Sequence, residues 1–221
     1  MPKVRQRGSL LSLPPLVVGL TGGMGSGKST VGKRLRERGI SVLDADVLVH
    51  DSLMPGGKGF APTLKLFGPS VKKTDGTLDR PALAQRIFER PILRKKLERI
   101  LHPLVAQFFK RRIAAHRRGL LVLEVPLLFE TGMDRMVDRT VLVWAPQKTC
   151  LARLVASGRF SRAQALRRMK AQMTPAEKRR RAHFLLDNSR SPAFLEKSLS
   201  RLFDVPPGGG LPVVYKNVTI S

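Results

Sequence analysis

The first sustained apolar stretch is Leu16–Leu20, LVVGL. A short apolar run of this kind predicts a strand buried on both faces, as in a parallel sheet. The period then changes. Val31 and Leu35 fall on one face of a helix predicted from about Lys28 to Arg38, and Gly39 suits the left-handed residue that follows a helix end. Ile40–Leu43 predicts a second strand, Gly119–Val125 (GLLVLEV) a third, Arg139–Trp144 (RTVLVW) a fourth and Phe184–Leu186 a short fifth. The intervening segments read as helices. One runs from Val47 to Leu53 and another from Phe60 to Phe67. A third follows Asp79, which suits an N-cap, with Pro81 in its first turn and Leu83, Ile87 and Phe88 on its apolar face. A fourth starts near Pro91 and ends at about Leu101. A fresh helix is expected over Leu104–His116, because the residue before Pro103 is pushed out of the helical region. After the fourth strand, a helix opens at Ala145–Pro146. An arginine-rich pair of helices is expected over 153–181, with Ser161 as an N-cap, and a last helix over Pro192–Phe203.

Strands alternating with helices predict an α/β fold with a parallel five-stranded sheet. Residues 16–204 form its domain, with a helical insertion over about 55–117 and a lid over about 153–181. Residues 1–15 read as a loose N-terminal extension. Residues 205–221 read as a tail, in which PPGGG is a linker and LPVVYKNVTIS an edge strand.

Composition narrows the class. With 221 residues, 42% of them hydrophobic, the chain has material for one well-filled core. The single cysteine, Cys150, rules out an intramolecular disulfide and fits a cytoplasmic protein. No apolar stretch approaches the roughly 20 residues of a membrane span, and residues 1–15 make a poor signal peptide, so no membrane association is expected. Forty-one Lys and Arg against sixteen Asp and Glu leave a formal charge of +25, which attracts polyanions. The basic residues are spread over several helices, and aromatics make up only 5%, so few rings exist to stack bases on. Weak, salt-sensitive adhesion to nucleic acid is expected, with no specific nucleic-acid partner. The pattern leaves oligomeric state open.

The chemistry sits directly after the first strand. Gly22-x-x-x-x-Gly27-Lys28-Ser29 has the spacing of a phosphate-binding P-loop. Glycines let the backbone curl round an anion, and the helix N-terminus adds a positive dipole end. Lys28 suits the β and γ phosphates of ATP, and the Ser29 hydroxyl suits a Mg2+ ion. The second strand delivers Asp44 and Asp46 to its C-terminal end, where on a strand they would share a face, at the sheet edge where ligands bind in open parallel sheets. Asp46 is the favoured base for an attacking hydroxyl; the plainer reading of the pair is a turn with a helix N-cap. Glu124, after an apolar run, is Walker-B-like, but weakly so. His102 reads most simply as a residue satisfied within its helix end. Of Arg153, Arg159, Arg162, Arg167 and Arg168, most read as solvated charge, and one or two suit the charge of phosphoryl transfer. No Cys/His cluster has zinc spacing.

Taken in order, several motifs resemble the dephospho-CoA kinase family. They are VVGLTGGMGSGKSTV at 17–31, VLDAD at 42–46, DGTLDRPALAQRIF at 75–88, LHPLV at 101–105, VPLLFE at 125–130, AQMTPAEKRRRA at 171–182 and LLDNS at 185–189. The resemblance implies the fold of P-loop nucleoside-monophosphate kinases and ATP-dependent phosphorylation of the ribose 3′-hydroxyl of dephospho-CoA. By the family pattern, Gly25, Ser26, Gly27, Lys28, Ser29 and Thr30 hold ATP phosphates, and Asn188 lies near the adenine. Asp46 orients the 3′-hydroxyl, and Arg80 and His102 face the acceptor. Arg153 and Arg159 are the candidates for a closing lid arginine. The chain departs from the pattern at Ala182-His183, where Ala-Asp is common, and in the lid at ASGRFSR, where an Arg-Asp pair is frequent. A kinase of another small hydroxyl acceptor and a basic P-loop protein that binds nucleic acid are the alternative readings.

Overall fold

The computed structural model describes residues 14–204 and 212–215. Strands β1 (Leu16–Gly22), β2 (Ser41–Asp44), β3 (Leu120–Glu124), β4 (Arg139–Trp144) and β5 (Phe184–Asp187) form one sheet in the order β2-β3-β1-β4-β5. The recorded pairings are parallel: Leu16 lies opposite Leu120 and Val18 opposite Arg139 on the two sides of β1, and Val141 lies opposite Phe184. The chain leaves β1 towards β2 on one side and leaves β3 towards β4 on the other. The carboxyl ends of β1 and β3 are therefore neighbours at a reversal of strand order, where open parallel sheets bind ligands.

Cα-contact density divides the chain into two units. One comprises residues 1–43 and 113–221, the other residues 44–112. The first holds most of the sheet with α1 (Lys28–Glu37), and beyond β3 come α6 (Gln147–Ala156), α7 (Arg162–Lys170), α8 (Pro175–Arg181) and α9 (Pro192–Phe203). Alternation along β1 sorts its side chains by face. Leu16, Val18 and Leu20 pack with Val31 and Leu35 of α1 and with Leu195, Leu199 and Phe203 of α9. Gly19 points to the other face, where an added Cβ would sit 2.7 Å from Leu128. The first turns are set by local chemistry. Ser161 with Gln164 and Thr174 with Glu177 each form a reciprocal capping box, which starts α7 and α8 in a stretch otherwise crowded with arginine.

The second unit carries α2 (Ala45–Ser52), α3 (Phe60–Phe67), α4 (Arg80–Glu89) and most of α5 (Pro91–Ala115), around its own cluster of Leu53, Phe67, Val71, Leu78, Leu83, Leu97 and Leu101. Asp79 caps α4 as its sequence predicts, accepting from the Ala82 N–H. The break expected at His102–Pro103 does not occur: α5 continues through Pro103. Its buried residues explain why. Leu97, Leu101, Val105 and Phe109 recur every fourth position on both sides of the proline. Burial of that stripe outweighs the cost of about 3 kcal/mol for a proline inside a helix.

The N-terminal extension falls almost wholly outside the described residues, as does the PPGGG linker. Of the expected edge strand in the tail, the described part is a 3-10 turn at Val213–Tyr215, with Val214 fully buried in the sheet core.

His183 joins β5 to β4. Its Nδ1 accepts the Thr140 backbone N–H at 3.1 Å and meets Thr140 Oγ1 at 2.8 Å, while its own backbone N–H donates to that hydroxyl at 3.0 Å. An imidazole can accept at Nδ1 only when that nitrogen is unprotonated. Burial, and secondly the Arg139 charge, hold the His183 pKa below its ordinary value of 6.5. The folded pKa lies below the unfolded one, so the unfolded chain takes up this proton first and stability falls as pH drops below about 6.5. We expect thermal melts to lose more stability between about pH 7.5 and about pH 5.5 in the wild type than in His183→Asn, whose amide oxygen can accept the same N–H without titrating.

Candidate active site

The loop after β1 is shaped by two left-handed residues, Gly25 (φ 76°) and Gly27 (φ 86°). A side chain at either would be strained, and neither has room for one. A Cβ on Gly25 would collide with the Cys150 carbonyl of α6, and a Cβ on Gly27 with the Asn188 amide. The loop closes on itself through Ser26 N–H to the Gly23 carbonyl at 3.1 Å, and α1 begins with Val31 N–H on the Gly27 carbonyl. Ser29 and Thr30 are exposed at the first turn of that helix. Their free N-terminal N–H groups and the helix dipole favour an anion there.

Lys28 is buried, and its Nζ lies 2.9 Å from Oε1 of a fully buried Glu124. Strand register makes the pair: Leu20, at the end of β1, lies opposite Glu124, the last residue of β3. Arg36 of α1 reaches the other carboxylate oxygen at 3.4 Å. Gly32 leaves the space this needs, since a Cβ there would collide with the Glu124 carboxylate.

On its other flank the loop is held by the turn after β5. Asn188 Nδ2 donates to the Ser26 carbonyl at 2.8 Å, and Arg153 of α6 donates to the Asn188 carbonyl at 2.8 Å and to the Ser26 carbonyl at 3.5 Å. Beside them lies a cavity of about 330 Å³, lined by Gly27, Thr30, Arg34, Arg153, Asn188 and Arg190 among others. Arg159 stands apart, exposed on the turn between α6 and α7. The guanidinium of Arg168 lies over the Phe160 ring at 4.7 Å.

The remaining residues singled out in the sequence lie in the second unit. Asp44 and Asp46 do not share a strand face. Asp44 ends β2 and caps α2, accepting the Asp46 N–H at 2.8 Å, and Asp46 is exposed in the first helical turn. The helix starts immediately after Asp44 because a carboxylate there satisfies an otherwise unpaired N–H. Arg80 is the exposed first residue of α4, and His102 is half-buried on the continuous α5.

The model of the CoaE dephospho-CoA kinase family matches residues 16–193. The chain belongs to the dephospho-CoA kinase family. A dephospho-CoA kinase of Symbiobacterium thermophilum is 44% identical over 79% of this chain and 74% of its own length, and one of Anaeromyxobacter dehalogenans is 39% identical over 87% and 93%. The crystal structure of TT1252 from Thermus thermophilus superposes with a TM-score of 0.73 at 38% identity, covering 85% of this chain and 95% of that one. Within this family frame, the first unit brings together Gly25–Thr30, Lys28, Arg153 and Asn188, and adds Glu124 as the partner of Lys28. The sequence signal for Glu124 was its place at the end of an apolar strand. Its pairing with Lys28 needed the strand register.

Removing one member of a buried pair strands the other's charge. We expect Glu124→Ala to lose about 3 kcal/mol in denaturant titrations, and Glu124→Ala combined with Lys28→Met to lose less than Glu124→Ala alone.

Proposed function

We propose that the chain transfers the γ-phosphoryl group of ATP to the ribose 3′-hydroxyl of dephospho-CoA, giving coenzyme A and ADP. The observation that carries this reading is the braced P-loop, with Lys28 held by Glu124, in a chain that matches the dephospho-CoA kinase family over residues 16–193. The amides of Gly25–Thr30 cradle the phosphates, and Lys28 meets the β and γ groups. The base takes the cavity beside Arg153 and Asn188, which opens next to Gly27 and Thr30 of the loop.

The Ser29 hydroxyl, exposed at the head of α1, fits a Mg2+ ion that keeps few protein ligands and takes the rest from phosphate and water. When bound, Mg2+ supplies charge neutralisation at the β and γ phosphates.

Asp46 orients the 3′-hydroxyl and takes up its proton as the oxygen attacks phosphorus and the bond to the β-phosphate oxygen breaks. Arg80 and His102 face the acceptor, the 75–105 part of the insertion receives its pantetheine arm, and Arg159 closes the lid over about 153–181. Support for the roles of Asp46, Arg80 and His102 comes from the family motifs at 42–46, 75–88 and 101–105. Arg153 acts from α6 on the loop and the base cavity, through its bonds to the Ser26 and Asn188 carbonyls. Among the described residues no helix is long and apolar enough to cross a membrane.

The decisive experiment couples ADP release to dephospho-CoA and weighs the product. ADP that forms only with this acceptor, and a product heavier by one phosphoryl group, are expected. ADP release that depends instead on RNA or DNA overturns the reading. Asp46→Asn should keep ATP affinity and lose about 10²–10⁴ in turnover; near-wild-type turnover would remove its role.

A further inference from the structure

A second element reaches the P-loop, from the turn between α7 and α8. The half-buried Gln172 accepts the Met24 backbone N–H at its Oε1, at 3.3 Å. A backbone N–H only donates, so the amide oxygen must face it and the Nε2 group must lie at the other end. Among the described residues Nε2 has no protein acceptor. The contact thus converts one loop donor into two side-chain donors carried beyond the loop.

The turn that carries Gln172 is tied down independently. The Met173 N–H donates to Glu130 Oε1 at 3.0 Å. The same oxygen takes Lys178 Nζ at 2.9 Å, and Lys178, only 1% exposed, also donates to the Pro126 carbonyl at 3.0 Å. Thr21, from the end of β1, donates to that same carbonyl at 3.2 Å. Gln172 is therefore presented from a turn fixed to the ends of β1 and β3, the strands that also position Lys28 and Glu124. Gln172 lines a cavity of about 270 Å³ together with Gly23, Met24 and Ser26 of the loop and Met173 and Lys178.

We propose that Gln172 is a further phosphate-binding residue, whose Nε2 donates to the terminal phosphate of the bound nucleotide while Oε1 holds the Met24 amide. The assignment deepens the reading of the chain as an ATP-dependent kinase and rests on it. A donor aimed at the terminal phosphate serves ATP and not ADP, which separates this role from simple support of the loop.

The test is calorimetric binding of ATP and of ADP to wild type, Gln172→Ala and Gln172→Glu, with melting temperatures as a check on folding. Gln172→Ala should weaken ATP by about ten-fold and ADP by much less, as expected for loss of a hydrogen bond to a charged group. Gln172→Glu keeps an acceptor for Met24 but replaces the donors with a carboxylate, so it should weaken ATP at least as far. Equal weakening of ATP and ADP in Gln172→Ala, or wild-type ATP affinity in Gln172→Glu, would reduce Gln172 to a loop support and overturn the proposal. A wild type that binds ATP but does not phosphorylate dephospho-CoA would overturn the acceptor assignment alone, and the ATP-to-ADP contrast would still decide the role of Gln172.

Discussion

The ion pair between Lys28 and Glu124 joins the head of α1, which follows β1, to the carboxyl end of β3. A lone ammonium or carboxylate at that depth is costly to desolvate, so each requires the other. The requirement reaches outward. Register must bring Leu20 opposite Glu124, position 32 must be glycine to admit the carboxylate, and Arg36 must lie one turn further along α1 to meet the second oxygen. The nucleotide loop is thus positioned by the sheet through charge as well as through its own hydrogen bonds.

Much of this was legible from local pattern. The strands of the sheet announced themselves as apolar runs, and the start of α4 as Asp79 with a proline two places on. The glycine spacing located the loop before any geometry was known. Other features depend on residues far apart in the chain. Helix α5 passes through Pro103 because its apolar stripe is buried, and burial is a tertiary fact that a rule about the residue before proline does not contain. Asp44 and Asp46 looked like a matched pair on a strand end; the cap formed by the first put the second inside a helix. Arg153 is singled out with Arg159 as a lid candidate; its bonds to the Ser26 and Asn188 carbonyls depend on the turn after β5, which no local pattern contains.

The arginine-rich stretch from 153 to 181 shows how position sorts identical side chains into different work. Arg153 braces backbone carbonyls, Arg168 lies over Phe160, Arg181 lies over Phe129 and reaches Asp134, and Arg159 is left at the surface. Lys178, in the same basic run, is buried against Glu130. Composition alone would have treated them all as solvating charge, and for Arg153, Arg168, Lys178 and Arg181 that description fails.

Cys150 backs directly onto Gly25, is buried, and is the only thiol in the chain. Burial raises its pKa, so little of the nucleophilic thiolate forms while α6 stays packed. A thiol-specific label therefore has one target, and that target answers only when the support behind the nucleotide loop opens. The chain carries its own clock for that opening: the rate of labelling counts how often the segment breathes, and any ligand that settles the loop should slow the count.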